Sequence, residues 1–271
     1  MAFYSVSDGA LTSLANAIRN RGSTTASLSF PNGFVNAINA INLGVVRELI
    51  EGTLTSYTSP ASVLCSGAFA YCSALSYVSF SLCKTINSQA FYRCEALVSI
   101  SFPLCEFIGY GAFQGCYSLK SVYFPKCKTI QAYAFTGCHF EYASLPLCET
   151  FESCVFQECT SLKTIELPKC KAISSEMFYT CSRLSNASFA VCSAITGTWN
   201  FRGCFNLIRL YLMSTSLVTL ANSSAFGYTP IDGYTETTNG ILGSIYVRAS
   251  LLSSYKSATN WTYFSSRFVG V

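Results

Sequence analysis

Cysteine gives this chain most of its capacity for chemistry. The 271 residues contain fifteen cysteines but only one histidine. Seven cysteines end a recurring Phe-x-x-Cys and six form a second column at a fixed offset, which leaves Cys65 and Cys154 outside both columns. Neither column has the Cys-x-x-Cys spacing of zinc sites. Buried thiols behave as small hydrophobic groups, so the columns predict reduced, core-facing cysteines. A bridge between successive coils, about 4.8 Å apart, stays sterically possible.

The other residues that suggest chemistry do not form a recognisable site. His139 would need carboxylate, serine or ligand partners, and none recurs around it. Gly109-Tyr-Gly111 lies inside a repeat rather than between a strand and a helix, so it is not a phosphate loop. The net charge of +4 is spread without any run of Lys or Arg, which leaves nucleic-acid binding unsupported. No apolar run reaches the length of about 18 residues that a membrane span needs. The sequence therefore predicts a non-enzymatic protein without a cofactor, a metal, a nucleic-acid partner or membrane insertion.

The Phe-x-x-Cys motif repeats about every 22 residues and sets the architecture. Its copies are Phe69/Cys72, Phe91/Cys94, Phe113/Cys116, Phe135/Cys138, Phe156/Cys159, Phe178/Cys181 and Phe201/Cys204. Each period also contains L-x-x-V-x-F-x-x-C, clearest from Leu119 to Cys127, which is a leucine-rich-repeat frame of a strand followed by a turn. A single coil cannot bury enough apolar surface to fold alone, so stacked coils and caps must stabilise each other. The pattern predicts an α+β repeat solenoid, a right-handed coil of about eight turns with a parallel sheet on one face.

The full repeat resembles a known family. The motif I-x-x-x-A-F-x-x-C-x-x-L-x-x-I-x-L-P-x-C is similar to that of BspA-like leucine-rich repeat proteins, a group of bacterial and phage surface proteins. The resemblance covers residues 49 to 271 and includes the closing stretch from Ile245 to Trp261. Arg248 stands where the family generally has Pro, which affects only local stiffness. The resemblance implies a leucine-rich-repeat fold, while the partner stays open because repeat folds host many.

Residues 1 to 44 differ from the repeats, since they contain no Cys and show helical spacing. Apolar residues from Leu11 to Ile18 recur at i, i+3, i+4 and i+7, which predicts a helix, and a second short helix follows Pro31. The sequence of this segment resembles a short module at the N-terminus of tail and minor structural proteins of phages and prophages of Gram-positive hosts. That resemblance implies an attachment or oligomerisation module; a plain helical cap over the first coil is the alternative.

The chain divides into four parts on these patterns: the module of residues 1–44, an N-terminal cap and half coil over 45–67, leucine-rich repeats over 68–221, and a C-terminal cap over 222–271. Pro230 to Gly240 is polar and rich in turn residues, which predicts a protruding loop. Ser250 to Trp261 predicts a helix that closes the stack. The N-terminus has neither the basic start nor the apolar core of a secretion signal. Together with the many thiols, this predicts folding in a reducing cytoplasm.

The candidate binding surface follows from strand alternation. Residues that flank the inward positions of L-x-x-V-x-F must point outward, and they are mainly Tyr and Ser with charge at one end. Tyr and Ser combine rigid contact area with small hydrogen-bonding groups, and stacked Tyr rings suit sugar rings. β-propensity and solubility alone would also favour these residues on an exposed strand. The candidate ligand-binding residues are Tyr77, Tyr123, Tyr142, Glu166, Arg209, Tyr211, Tyr246 and Arg248.

Three functional hypotheses follow. In the first, the chain is a phage or prophage tail-associated receptor-binding protein, made in the bacterial cytoplasm and located in the virion tail. Residues 1–44 would then contact other tail proteins or make a homo-oligomer, and the sheet face would contact a host cell-surface polysaccharide or protein. In the second, it is a BspA-like adhesin or interaction protein on the bacterial cell surface. In the third, it is an architectural tail spacer.

Overall fold

The computed structural model describes residues 53–271, and there the chain is a stack of coils built from short parallel strands. Each full coil gives a longer strand to a first file and a two-residue strand to a second file. The first-file strands are β1 (Ser56–Ser59), β3 (Tyr77–Phe80), β5 (Ser99–Ser101), β7 (Ser121–Tyr123), β9 (Tyr142–Ser144), β11 (Thr164–Glu166), β13 (Asn186–Phe189), β15 (Arg209–Leu212), β17 (Ser244–Val247) and β18 (Phe268–Gly270). The second-file strands are β2 (Val63–Leu64), β4 (Thr85–Ile86), β6 (Phe107–Ile108), β8 (Thr129–Ile130), β10 (Thr150–Phe151), β12 (Ala172–Ile173), β14 (Ala194–Ile195) and β16 (Thr219–Leu220).

Every strand pair is parallel and joins like positions of neighbouring coils. The first file divides into a three-stranded sheet from β1 to β5 and a seven-stranded sheet from β7 to β18, and the second file into sheets of five and three strands. The register is that of the repeat: Ile165 lies opposite Ala143 on one side and Ala187 on the other. A parallel-sheet solenoid of leucine-rich-repeat type, as the sequence predicts, is confirmed.

Stacked phenylalanine rings fill the interior. The ring centroid of Phe113 lies 5.1 Å from that of Phe91 and 5.3 Å from that of Phe135, with interplanar angles of 9° and 2°. The same stacking links Phe69, Phe91, Phe113, Phe135, Phe156, Phe178, Phe201 and Phe226 into one continuous file. The phenylalanines of Phe-x-x-Cys thus form one continuous interior column, as predicted, and Phe80, Phe102 and Phe124 stack in a second column beside it.

The cysteine columns contribute hydrogen bonds as well as volume. In the first column the thiol of Cys116 donates to the Phe91 carbonyl of the preceding coil, with 3.2 Å between sulfur and oxygen. Cys94, Cys138, Cys159, Cys181 and Cys204 repeat this contact. All fifteen cysteines are thiols. Burial raises the pKa of Cys138 to about 12 and that of Cys192 to about 11, which favours the protonated donor.

Two positions in each repeat take a left-handed backbone conformation. One is the second residue between Phe and Cys, as at Gly137 (φ 75°) and Glu158 (φ 59°). The other lies two residues before the Phe of Phe-x-x-Cys, as at Gly111 (φ 56°) and Trp199 (φ 57°). Only glycine adopts this conformation without a Cβ penalty, so each larger residue there costs roughly 1 kcal/mol of backbone energy. Many of these side chains lie on an exposed rim of the solenoid.

The number of coils was predicted too low. The first file holds ten strands rather than about eight, because β1 already pairs in register with β3 and β18 adds a strand after the repeats. The strand β18 was not predicted. The helical module of residues 1–44, and the part of the predicted N-terminal cap before residue 53, lie outside the described residues.

The predicted capping helix is also shorter than expected. Within Ser250 to Trp261 the α-helix α1 covers only Leu252–Ser257, between 3₁₀ segments at Ala249–Leu251 and Thr262–Arg267. The backbone turns extended at Ala258 because two ring side chains dock on one residue: the Val218 N–H donates to the Tyr255 hydroxyl and Trp261 Nε1 donates to the Val218 carbonyl. With one further 3₁₀ helix at Ser223–Phe226, helices are few and small from residue 53 onward, and the α+β class is not confirmed. None of them is long and apolar enough to cross a membrane.

Candidate functional site

The outward side chains of the first-file strands form two straight rows. One row, called the Tyr123 row, comprises Tyr123, Ser144, Glu166, Ser188, Tyr211 and Tyr246. The second row, called the Tyr142 row, comprises Ser121, Tyr142, Thr164, Asn186, Arg209 and Ser244. The two rows together are the outer face. With about 4.8 Å between neighbouring strands, the Tyr123 row is about 24 Å long.

Alternation along each strand positions these side chains. In β11, Thr164 and Glu166 flank Ile165, whose side chain is buried in the core. In β15, Arg209 and Tyr211 alternate with the buried Leu210 and Leu212. Because successive strand side chains point to opposite faces, a buried aliphatic residue forces its neighbours outward. The outward placement predicted for the candidate residues is therefore found, while their binding role stays a prediction.

An aromatic pair with two arginines occupies one end of the outer face. The rings of Tyr211 and Tyr246 stack with centroids 4.6 Å apart at an angle of 17°. Arg209 Nη1 donates to Asn186 Oδ1 at 3.4 Å, and Arg248 Nε donates to the Met213 carbonyl at 2.9 Å. Arg209 lies two residues before Tyr211, and Arg248 lies two residues after Tyr246. Four of the eight predicted residues therefore lie at the same end of the outer face.

Tyr142 and Glu166 meet in a shallow depression in the middle of the outer face. The depression has a volume of about 290 Å³ and is lined by Tyr142, Ala143, Ser144, Leu145, Pro146, Thr164, Glu166 and Pro168. It offers an aromatic ring, three hydroxyl groups and a carboxylate on one surface. A carboxylate accepts hydrogen bonds from hydroxyl groups, and serine and threonine can donate or accept, so the set is chemically suited to a polyhydroxylated ligand.

The two remaining predicted residues lie apart from these clusters. Tyr123 is 61% exposed on β7, at the start of the seven-stranded sheet and two strand steps from Glu166. Tyr77 belongs to the separate sheet of β1, β3 and β5. It lies three strand steps, about 14 Å, from Tyr142. The structure does not bring Tyr77 together with the others.

A second aromatic cluster, which was not predicted from the sequence, lies on the rim formed by the Phe-x-x-Cys turns. It contains Phe205, Tyr228 and Tyr234. Pro230 to Gly240 does not simply protrude, because Thr237 Oγ1 donates to the Phe205 carbonyl at 2.6 Å and the Tyr234 ring lies 5.5 Å from that of Phe205. The loop is thus folded back toward Arg202 and Tyr228. The two residues between Phe and Cys in each repeat could have indicated this cluster, because Tyr and Arg recur at those positions.

Metal-ligating residues are not gathered in the described part of the chain. From residue 53 onward no three His, Cys, Asp or Glu side chains are arranged to hold a metal ion. The ring of His139 lies 5.7 Å from that of Tyr117.

Comparison with known protein families gives one match to this chain. The BspA type leucine rich repeat region, in six copies, matches residues 53–159 and 128–241. The matched span is more than half of the 271 residues, and the chain belongs to the BspA type leucine-rich repeat family. No curated protein matches it.

Two solved structures are similar to the chain. One is a leucine rich cell surface protein from Faecalibacterium prausnitzii A2-165, with 16% identity over 80% of this chain and 79% of that chain and a TM-score of 0.37. The other is a leucine-rich repeat protein from Bacteroides ovatus ATCC 8483, with 17% identity over 81% of this chain and 84% of that chain and a TM-score of 0.29.

Proposed function

We propose that the protein is a non-enzymatic receptor-binding protein of a phage or prophage tail. Its outer face contacts a polysaccharide or protein on the host cell surface. In this proposal the chain is made in the bacterial cytoplasm and carried in the virion tail. Residues 1–44 attach it to other tail proteins and provide a surface through which copies can associate.

The Tyr123 row is the observation that supports a binding role most directly. Over about 24 Å it presents tyrosine, serine and glutamate side chains in one line, with the Tyr211–Tyr246 ring pair at one end. A long, shallow, hydroxyl-rich row suits an extended polymer with repeated hydroxyl groups better than a compact small molecule, which proteins usually enclose in a deeper pocket. The assignment to a tail depends on the resemblance of residues 1–44 to tail modules.

Cell-wall binding by the full chain tests the role of the outer face. The probe is purified cell wall, with its attached polysaccharide, from a panel of Gram-positive bacteria. We expect saturable binding to at least one wall and a tenfold or greater loss in the double variant Tyr211→Ser, Tyr246→Ser. The matched control is Tyr263→Ser, since Tyr263 is 74% exposed on the C-terminal 3₁₀ segment. Wild-type binding by the double variant, or no wall bound by the natural chain, would count against the proposal.

A bacterial surface adhesin is the second candidate. The family match over residues 53–241 supports it independently of residues 1–44. Mass spectrometry separates the two locations: the chain in purified virions supports the tail, and the chain on intact uninfected cells supports the adhesin. An architectural spacer is favoured if virions contain the chain and outer-face variants infect host cells as well as the natural chain does.

A further inference from the structure

A second candidate site lies on the rim formed by the Phe-x-x-Cys turns. It is a depression of about 370 Å³ lined by Tyr179, Thr180, Arg202, Gly203, Phe205, Tyr228 and Tyr234. Trp199 adjoins it, with its ring 6.2 Å from that of Tyr179. None of the outer-face residues lines this depression, so the two surfaces can be tested separately.

Arg202 is held between two aromatic rings. Its Cζ atom lies 4.9 Å from the centroid of Trp199 and 5.0 Å from that of Tyr228. A guanidinium group packed against rings keeps the N–H donors along its edges available. Among residues 53–271 no carboxylate forms an ion pair with Arg202 and no acceptor takes a hydrogen bond from its side chain. The site therefore contains a positioned cation whose charge has no counter-ion in the described part of the protein.

The loop that follows Tyr228 builds the opposite wall. The Tyr234 ring stands edge-on to that of Tyr228 at 6.2 Å and lies 5.5 Å from that of Phe205. The Tyr234 hydroxyl donates to Glu236 at 2.8 Å, and the hydrogen bond from Thr237 to the Phe205 carbonyl fixes the loop on the coil below. The wall is thus held by specific contacts, and the nearby carboxylate of Glu236 is engaged with Tyr234.

The backbone at this site also favours smaller residues than those present. Trp199 and Tyr228 both have φ 57°, in the left-handed region. Other coils place glycine or a larger residue at the same two turn positions: Gly111 or Tyr133 at the first, and Gly203 or Tyr71 at the second. Glycine is the residue best suited to this conformation. Large aromatic side chains are therefore present at positions where the backbone disfavours them, a situation that is common at binding sites.

We propose that this cluster binds an acidic sugar, meaning a sugar residue that has a ring carboxylate. The carboxylate accepts hydrogen bonds from the N–H edge of Arg202, and the sugar ring packs across the edges of Trp199 and Tyr228 that flank the guanidinium group. The planar guanidinium group matches a carboxylate with two parallel N–H···O bonds, which makes it selective for that group. This site is separate from the outer face and does not depend on the function proposed for that face.

Tryptophan fluorescence of the full chain reports on the site directly. The chain has two tryptophans, of which Trp261 is 1% exposed and Trp199 is 40% exposed. Titration with tetragalacturonic acid should give a saturable change in emission and protect Trp199 from quenching by acrylamide. A neutral galactose tetramer should bind at least tenfold more weakly. Absence of a saturable response to the acidic tetramer, or equal affinity for the neutral one, overturns the proposal.

Variants then assign the interaction to Arg202. By isothermal titration calorimetry, Arg202→Gln should weaken binding of the acidic tetramer tenfold or more, and Arg202→Lys should bind with intermediate affinity. Arg93→Gln is the matched control and should bind as the natural chain does, because Arg93 also lies against a tyrosine ring, that of Tyr92, but does not line this depression. Tyr228→Ala provides an independent second variant, and thermal melting establishes that each variant is folded. Equal losses in Arg202→Gln and Arg93→Gln, or no loss in folded Arg202→Gln and Tyr228→Ala, overturn the assignment.

Discussion

Replacing Phe113 by alanine perturbs the stacked phenylalanine file at its centre. Phe113 is completely buried, and its ring contacts four others: it stacks on Phe91 and Phe135, and it lies 6.2 Å and 5.9 Å from the tilted rings of Phe102 and Phe124. Removing a buried phenylalanine side chain leaves a cavity and costs about 3–5 kcal/mol. Because rings on both sides of the gap lose a stacking partner, we expect about 4 kcal/mol, in the middle of that range.

Urea unfolding followed by circular dichroism and by the fluorescence of the buried Trp261 measures this loss. With a slope of about 2–3 kcal/mol per molar urea, a loss of about 4 kcal/mol lowers the unfolding midpoint by roughly 1.3–2 M. Phe113→Leu keeps most of the side-chain volume and should cost only about 1 kcal/mol, or less than about 0.5 M. An alanine variant whose midpoint lies within about 0.3 M of the natural chain would refute the stacked file as a source of stability.

Four further perturbations test other parts of the structure. At pH 8 iodoacetamide should modify Cys65 and leave the fourteen buried thiols intact by peptide mass spectrometry. Raising the pH above about 8.5 should lower the melting temperature, because the unfolded chain then ionises thiols whose pKa burial raises in the folded state; an unchanged melting temperature at pH 10.5 contradicts this. Lys128→Glu should lower the melting temperature, and added salt should restore part of it, since the new carboxylate faces Glu106, now 2.7 Å from Lys128 Nζ; a melting temperature insensitive to both argues against the ion pair. Gly137→Ala should destabilise by about 1 kcal/mol and Glu158→Gly, the same turn position in the next coil, should stabilise by up to about 1 kcal/mol, as measured by urea unfolding; changes of the same sign contradict the left-handed turn.

The repeated part of the fold could be predicted because the same side chains return at one period. Phe113 and Cys116 have equivalents in every neighbouring coil, so their inward direction follows from the pattern alone. The ends could not be predicted in the same way. Phe268–Gly270 is a strand because it pairs with β17, and the terminal helix stops early because Tyr255 and Trp261 both dock on Val218. Tertiary contacts, which have no period in the sequence, decide both features.

The candidate sites show the same limit. Alternation within a strand was enough to place Glu166 and Tyr211 on the outer face. The ring stack of Tyr211 with Tyr246 depends on the pairing of β15 with β17 across an irregular segment that breaks the period. The contact of Arg202 with Trp199 and Tyr228 depends on left-handed turns in successive coils. The repeat motif in the sequence does not show which side chains those turns bring together.

Hydroxyl-radical footprinting of the full chain on host cell-wall fragments, analysed by peptide mass spectrometry, tests the binding role of the outer face most directly. Tyr123, Tyr211 and Tyr246 should each be oxidised several-fold more slowly in the bound state than in the free state. Tyr71 and Tyr263, which are 62% and 74% exposed and lie outside the outer face, should be oxidised equally in both states. Protection of Tyr71 and Tyr263 with no protection of the Tyr123 row would contradict the proposal that the outer face contacts the host surface.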